Sequence, residues 1–228
     1  MTLREQVLEA NLSLVSDGLV VETFGNASGI DRERGLVAIK PSGVDYAMLT
    51  AEDLIVTDLD GNVVEGALRP SSDLPTHLEL YKAFPHIGGV AHTHSRYATA
   101  WAQARREIPC LGTTHADYFR GAIPVTDEMI ADEIATDYEK NTGLSIARRF
   151  AACDPVTMRA VLIAGHAPFT WGKDAVEAAH LAFLLEEVAR LAFLTLSIEG
   201  AAVAISDSLR DKHFLRKHGP KAYYGQLK

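Results

Sequence analysis

Gly89-Val90-Ala91-His92-Thr93-His94-Ser95 runs from an apolar segment into two histidines two positions apart. Read as the end of a strand over 87–93, it turns both imidazoles to one face, because side chains alternate along a strand. Two imidazoles side by side on one rigid element make half of a metal site. The same tripeptide also arises as two polar residues on a solvated strand face, so the decision rests on what the rest of the chain supplies.

Immediately upstream, the spacing predicts a helix over 75–84, opened by Arg69-Pro70-Ser71-Ser72-Asp73. The Ser and Asp side chains can cap that helix. Alternatively, its free N–H groups and the two hydroxyls can hold a phosphate, leaving Asp73 facing the histidines. A strand over 36–40 ends in Lys40-Pro41-Ser42-Gly43, which gathers a cation, a hydroxyl and a glycine at one point. Gly25-Asn26-Ala27-Ser28-Gly29, after a short strand over 20–24, reads as a small-residue turn whose N–H groups suit an anion. Residues 54–65 read as a hairpin turning at Asp60-Gly61-Asn62, and residues 2–16 as an amphipathic helix.

Downstream, a helix over 95–104 leads to short strands at 108–111 and 123–125. Between them lies Gly112-Thr113-Thr114-His115-Ala116-Asp117-Tyr118, a loop dense in hydroxyl, imidazole and carboxylate groups. Helical segments follow over 127–135 and 144–151, then an apolar strand over 158–164. That strand runs into Gly165-His166-Ala167-Pro168, a third histidine in a turn. A long helix over 174–196 is apolar around most of its circumference, which predicts burial by the core on one side and by a neighbouring subunit on another. Glu177, His180, Glu186, Glu187 and Arg190 interrupt it, so it is no membrane span. The tail over 207–228 is basic, through Arg210, Lys212, His213, Arg216, Lys217, His218 and Lys221, and carries Tyr223 and Tyr224. It reads either as a solvated tail or as a cover over an anion site of its own or an adjacent subunit.

The bulk properties narrow the class. The chain has 228 residues and a formal net charge of -8, which argues against nucleic acid or an anionic membrane as the main partner. Cys110 and Cys153 have neither metal nor redox spacing, and the expected compartment is a reducing cytoplasm. No linker or repeat divides the chain, so a single domain is expected. His92, His94 and His166, with Asp73 as a possible fourth ligand, offer the donor set of a catalytic rather than a structural zinc. No His-Glu-x-x-His helix, Walker loop or Gly-x-Ser-x-Gly elbow is present.

These segments occur in one order together with Lys40 to Tyr46, Pro70 to Asp73, Asp211 to Gly219 and Ala222 to Gln226. Taken together they closely resemble the L-ribulose-5-phosphate 4-epimerase branch of the class II (zinc) aldolase/epimerase superfamily, over about residues 6–226. The resemblance implies an α/β fold with a central, largely antiparallel β-sheet flanked by helices. It also implies a homotetramer with active sites between adjacent subunits, and one zinc ion per subunit.

Position by position, Asp73, His92, His94 and His166 match the metal residues. Gly25, Asn26, Lys40, Ser42, Gly43, Ser71 and Ser72 match the phosphate pocket. Asp117 and Tyr224 match the acid–base pair, Tyr224 coming from the neighbouring subunit, and Glu139 and His213 match supporting polar positions. The implied reaction inverts C4 of a pentulose 5-phosphate, feeding arabinose or ascorbate catabolism, by retro-aldol cleavage between C3 and C4. Aspartate at position 73, where the fuculose-phosphate-type aldolases carry glutamate, favours epimerisation. The alternatives are an aldolase of the same superfamily and a non-catalytic metal-binding paralogue. Three departures stand out: Phe24 replaces a tryptophan, Arg120 replaces an aromatic, and the segments around 151–159 and 199–208 are short.

Overall fold

The computed structural model describes residues 1–224. In chain order the elements are α1 (Leu3–Ser16), β1 (Asn26–Asp31), β2 (Leu36–Ile39), β3 (Ile55–Asp58), β4 (Val63–Glu65), α2 (Leu74–Ala83), β5 (Gly89–His92) and α3 (Arg96–Gln103). There follow α4 (Thr113–Ala116), α5 (Ala131–Ala135), α6 (Tyr138–Arg149), β6 (Ala160–Leu162), β7 (Pro168–Gly172), α7 (Ala175–Ile198) and α8 (Asp207–His218).

The strands form one seven-stranded sheet in the order β4-β3-β2-β1-β5-β7-β6, and every pairing between them is antiparallel. Period-two burial divides the core between the two faces. Val37, Ile39 and Val90 join the packing of α2, α3 and α6, whereas Ala38 and Ala91 join that of α1 and the first half of α7. The alanines matter because α1 and α7 lie close over that face. A Cβ on Gly89 would stand 2.3 Å from the backbone of Asp174, so only glycine admits the start of α7 there. The α/β architecture with an antiparallel sheet is the expected one.

Several local expectations change. Gly25 to Gly29 is not a turn: β1 starts at Asn26, and the segment over 20–24 contributes only the Val21–Phe24 bridge. The small side chains serve close packing against α1, where a Cβ on Gly29 would meet Val7 at 3.0 Å. The segment after His166 is a buried strand, β7, rather than the end of a turn. The tail is a helix, α8, docked on α4. Helix α6 begins at Tyr138, six residues before the expected 144, because its first turn is polar and carries no apolar period. The expected strands at 108–111 and 123–125 reduce to single bridges, Ile108–Ile123 and Val125–Leu162.

Antiparallel order positions the site. The start of β1, the end of β2, the end of β5 and the start of β7 all fall at one end of the sheet. In register, Asn26 lies opposite His92, and His92 opposite Phe169.

Candidate metal centre and anion pocket

His92 is the last residue of β5 and is buried. Its Nδ1 lies 2.9 Å from the Pro168 carbonyl oxygen at the head of β7. A carbonyl only accepts, so Nδ1 carries the proton and Nε2 is left with a free lone pair, the arrangement that orients a metal-ligating histidine. Phe169 stacks on the same ring at 4.2 Å and 17° and fixes its plane. His94 lies just beyond the strand rather than on it, and His166 sits in the turn before β7. The three rings are 4.9 to 5.0 Å apart between centroids, and one nitrogen of each lies within 4.8 Å of the others.

Burial and mutual proximity disfavour the charged form of His94 and His166. Burial, then the neighbouring His92 and His94, bring the pKa of His166 down to about 4, and burial and His92 lower that of His94. Neutral imidazoles are the form that binds a metal, so the donor set fits a divalent cation. Asp73 lines the same cavity. Burial would raise its pKa, but His92, His77, the Asn26 amide and His166 outweigh that and hold the carboxyl below its ordinary value. Its side chain does not cap α2. Instead it accepts from Asn26 Nδ2 at 2.7 Å, while Ser71 Oγ accepts from the Asp73 amide at 3.3 Å.

A cavity of about 390 Å³ opens over the cluster. Gly25, Asn26, Lys40, Ser42, Gly43, Ser71 and Ser72 line it beside Asp73, His92, His94 and His166, so the metal and phosphate candidates share one space. Two loops form the side that carries the phosphate candidates. The Ser42 amide donates to the Arg69 carbonyl and the Ser71 amide to the Lys40 carbonyl, each at 3.0 Å, which pins the loop after β2 to the one before α2. Asn26 Nδ2 also reaches Ser71 Oγ at 3.2 Å, while its buried Oδ1 has no partner among the described residues. Lys40 is 2% exposed. Its Nζ donates to the Val44 carbonyl at 2.7 Å and lies 4.5 Å from the centre of the Tyr46 ring.

Glu139 lines the cavity with Tyr138, whose hydroxyl is 3.4 Å from His166 Nδ1. Sequence reasoning missed Tyr138; its one available signal was the adjacent Glu139.

Asp117 and Tyr224 are not brought to this cavity within one chain. Asp117 ends α4 and is clasped by α8: Arg216 Nε and Nη2 reach its two carboxylate oxygens at 3.0 and 2.7 Å, and His213 Nδ1 lies 3.1 Å from Oδ1. Burial opposes ionisation there, but the Arg216 and His213 hydrogen bonds and the Lys217 charge keep its pKa low. The exposed ring of Tyr224 covers Arg216 at 4.7 Å and Lys217 at 4.4 Å. Gly225 and Gln226, the end of the tail motif, lie outside the described residues.

With this fold and histidine cluster, the chain belongs to the class II aldolase family: residues 5–193 match the Class II Aldolase and Adducin N-terminal domain. Among individual proteins, it is 54% identical to the L-ribulose-5-phosphate 4-epimerase UlaF of Salmonella paratyphi B, over 98% of both chains. The fold is also that of solved aldolases. An L-fuculose 1-phosphate aldolase superposes with a TM-score of 0.78 at 27% identity, covering 92% of this chain and 93% of that one. The L-fuculose-1-phosphate aldolase of Thermus thermophilus gives 0.70 at 28%, covering 89% and 98%.

Proposed function

We propose that this protein is an isomerase that interconverts L-ribulose 5-phosphate and D-xylulose 5-phosphate. The observation that carries the reading is the 54% identity to an L-ribulose-5-phosphate 4-epimerase across 98% of both chains. The convergence of neutral imidazoles and an anion-ready pocket in one cavity supports it.

C4 of the substrate bears no acidic hydrogen, so inversion proceeds by carbon–carbon cleavage. His92, His94 and His166, with Asp73 beside them, hold the metal, for which nitrogen donors and one carboxylate suit zinc. When bound, it supplies Lewis-acid stabilisation of the negative charge that develops on the C1–C3 fragment. Lys40, Ser42, Ser71 and Ser72, with Gly25, Asn26 and Gly43 lining the wall, grip the phosphate. A base takes the C4 hydroxyl proton, the C3–C4 bond breaks, and its electron pair stays with the C1–C3 fragment. The held glycolaldehyde phosphate turns its carbonyl over, is re-attacked on the other face, and its oxygen regains a proton. Two acid–base groups on opposite sides are required, and Asp117 and Tyr224 fill these roles.

Because both lie outside the cavity of their own chain, they act on that of a neighbour, and the tail over 207–228 completes the adjacent site. The exposed Leu191, Leu194 and Ile198, which share one side of α7, support a homotetramer built on that face. Free Cys110 and Cys153 support a reducing cytoplasm as the compartment.

The test is a coupled assay on L-ribulose 5-phosphate with and without zinc. Turnover that survives full chelation overturns the metal-dependent reading, and release of free aldehyde at the turnover rate assigns the chain to the aldolases instead. Mixed His92→Asn and Tyr224→Phe subunits should regain activity. No regain after verified mixing removes the shared site.

A further inference from the structure

Helix α8 binds both members of the proposed acid–base pair through one side chain. The Arg216 guanidinium meets the Asp117 carboxylate as a two-pronged fork, at 3.0 and 2.7 Å. Its other face lies against the Tyr224 ring at 4.7 Å, and its carbonyl accepts the amides of Tyr223 and Tyr224 at 3.0 and 3.1 Å. The Asp117 main chain is tied to the same helix by His218 Nε2, 2.8 Å from its carbonyl oxygen. From these contacts we infer that Arg216 is a positioning residue for the reaction, one that aims the Asp117 carboxylate and sets Tyr224 beside it.

The inference rests on the roles given above to Asp117 and Tyr224. An arginine fork fixes the carboxylate plane, which a point charge cannot do. The other groups facing Asp117 are the His213 imidazole at 3.1 Å and the Lys217 ammonium at 3.8 Å, both from α8. On Asp117's own side, Arg120 turns away to Asp211 at 3.1 Å, and the His115 ring turns to the Gly121 carbonyl at 2.7 Å. Removing Arg216 therefore takes away the only two-pronged contact to Asp117 among the described residues, while the Lys217 charge remains. A carboxylate so released is less well aimed and easier to protonate.

The test compares Arg216→Gln, Arg216→Lys and Arg120→Gln with the parent, using the coupled epimerase assay across pH. Arg120→Gln breaks the ion pair between the segment after α4 and Asp211 of α8 without touching Asp117. Arg216→Gln is expected to lower kcat about 100-fold, as for a misplacement of roughly 1 Å, with KM unchanged. The acid limb of kcat should move to higher pH. Arg216→Lys should restore the limb but only part of kcat, and Arg120→Gln should leave both alone.

Parent-like kcat and an unmoved acid limb in Arg216→Gln overturn the inference, as does an equal loss in Arg120→Gln, which would make the seam merely a docking contact. If Arg216→Gln does not assemble, Arg216→Lys decides: reduced kcat with an unmoved acid limb supports the inference, and full kcat overturns it. Asp117→Asn separates this from failure of the underlying reading. An active Asp117→Asn removes the acid–base assignment itself, whereas an inactive one beside a normal Arg216→Gln removes only the role of Arg216.

Discussion

Lys40→Met should separate binding from stability. Lys40 is 2% exposed, and its ammonium sits between the Val44 and Pro41 carbonyls, at 2.7 and 3.3 Å, and the Tyr46 ring. Burial lowers its pKa, with Asp45 offsetting part of the effect. A lysine whose folded pKa lies below its unfolded one is penalised while charged. That cost is present at neutral pH and disappears as pH rises through the folded and then the unfolded value. Methionine has a similar length and no charge. Substitution removes a desolvation cost of several kcal/mol. It forfeits about 1.5–3 kcal/mol for the charged hydrogen bond to Val44 and about 1–2 kcal/mol for the contact with Tyr46. These nearly cancel, so the variant should keep its stability within about 1 kcal/mol, or roughly 2–4 °C in Tm for a chain of this size.

Substrate binding should not escape. Loss of one charge-assisted contact to phosphate, about 1.5–3 kcal/mol, should raise KM roughly 10- to 100-fold. Thermal unfolding and coupled epimerase kinetics measure the two quantities. A fall of more than about 3 kcal/mol in stability would show that the buried ammonium is structural, and an unchanged KM would remove Lys40 from the phosphate pocket.

Three further outcomes follow from the geometry. His94→Asn should lose bound zinc in competition with a chromophoric chelator while unfolding near the parent temperature; retention of parent affinity would place the metal elsewhere. Gly25→Ala forces a side chain onto a backbone at φ +101° and sets a Cβ 3.0 Å from the His92 carbonyl oxygen. It should cost about 1–3 kcal/mol in denaturant titration and weaken zinc binding, since the displaced strand carries His92. His77 is fully buried, which brings its pKa from 6.5 down to about 3. The folded state keeps it neutral while the unfolded chain takes up a proton, so stability is full above about pH 6.5 and declines as pH falls toward 3. The slope from this group is about 1.4 kcal/mol per pH unit. His77→Phe should flatten that acid limb, and an unaltered slope in pH-dependent urea unfolding would count against a neutral buried His77.

Much of the site was legible because its signals are local. His92 and His94 announce themselves by spacing, Lys40 to Gly43 and Ser71 to Asp73 by composition, and the long helix and the hairpin over 54–65 by periodicity and an Asp-Gly turn. Other parts carry no such signal. Strand β7 starts at Pro168 and ends at Gly172, so its punctuation resembles a turn, and only pairing with β5 and β6 on both sides makes it a strand. Helix α8 buries Phe214 alone among its residues, too little for an apolar period, so its docking on α4 through Asp117 was invisible.

By itself, then, the sequence singled out the candidate side chains: three imidazoles, one short carboxylate, a lysine, hydroxyl-rich loops and the Asp117–Tyr224 pair. Tertiary structure alone decided how they meet. Antiparallel pairing brings the ends of β2 and β5 and the starts of β1 and β7 to one end of the sheet, so residues far apart in sequence share a cavity. It also decided that Asp73 answers to Asn26 rather than capping its helix, and that Asp117 and Tyr224 are bound to α8, away from the cavity of their own chain. The physical reason is range. Spacing and propensity act over a few residues, whereas strand register and ion pairing join positions separated by tens of residues and exist only once the chain has folded.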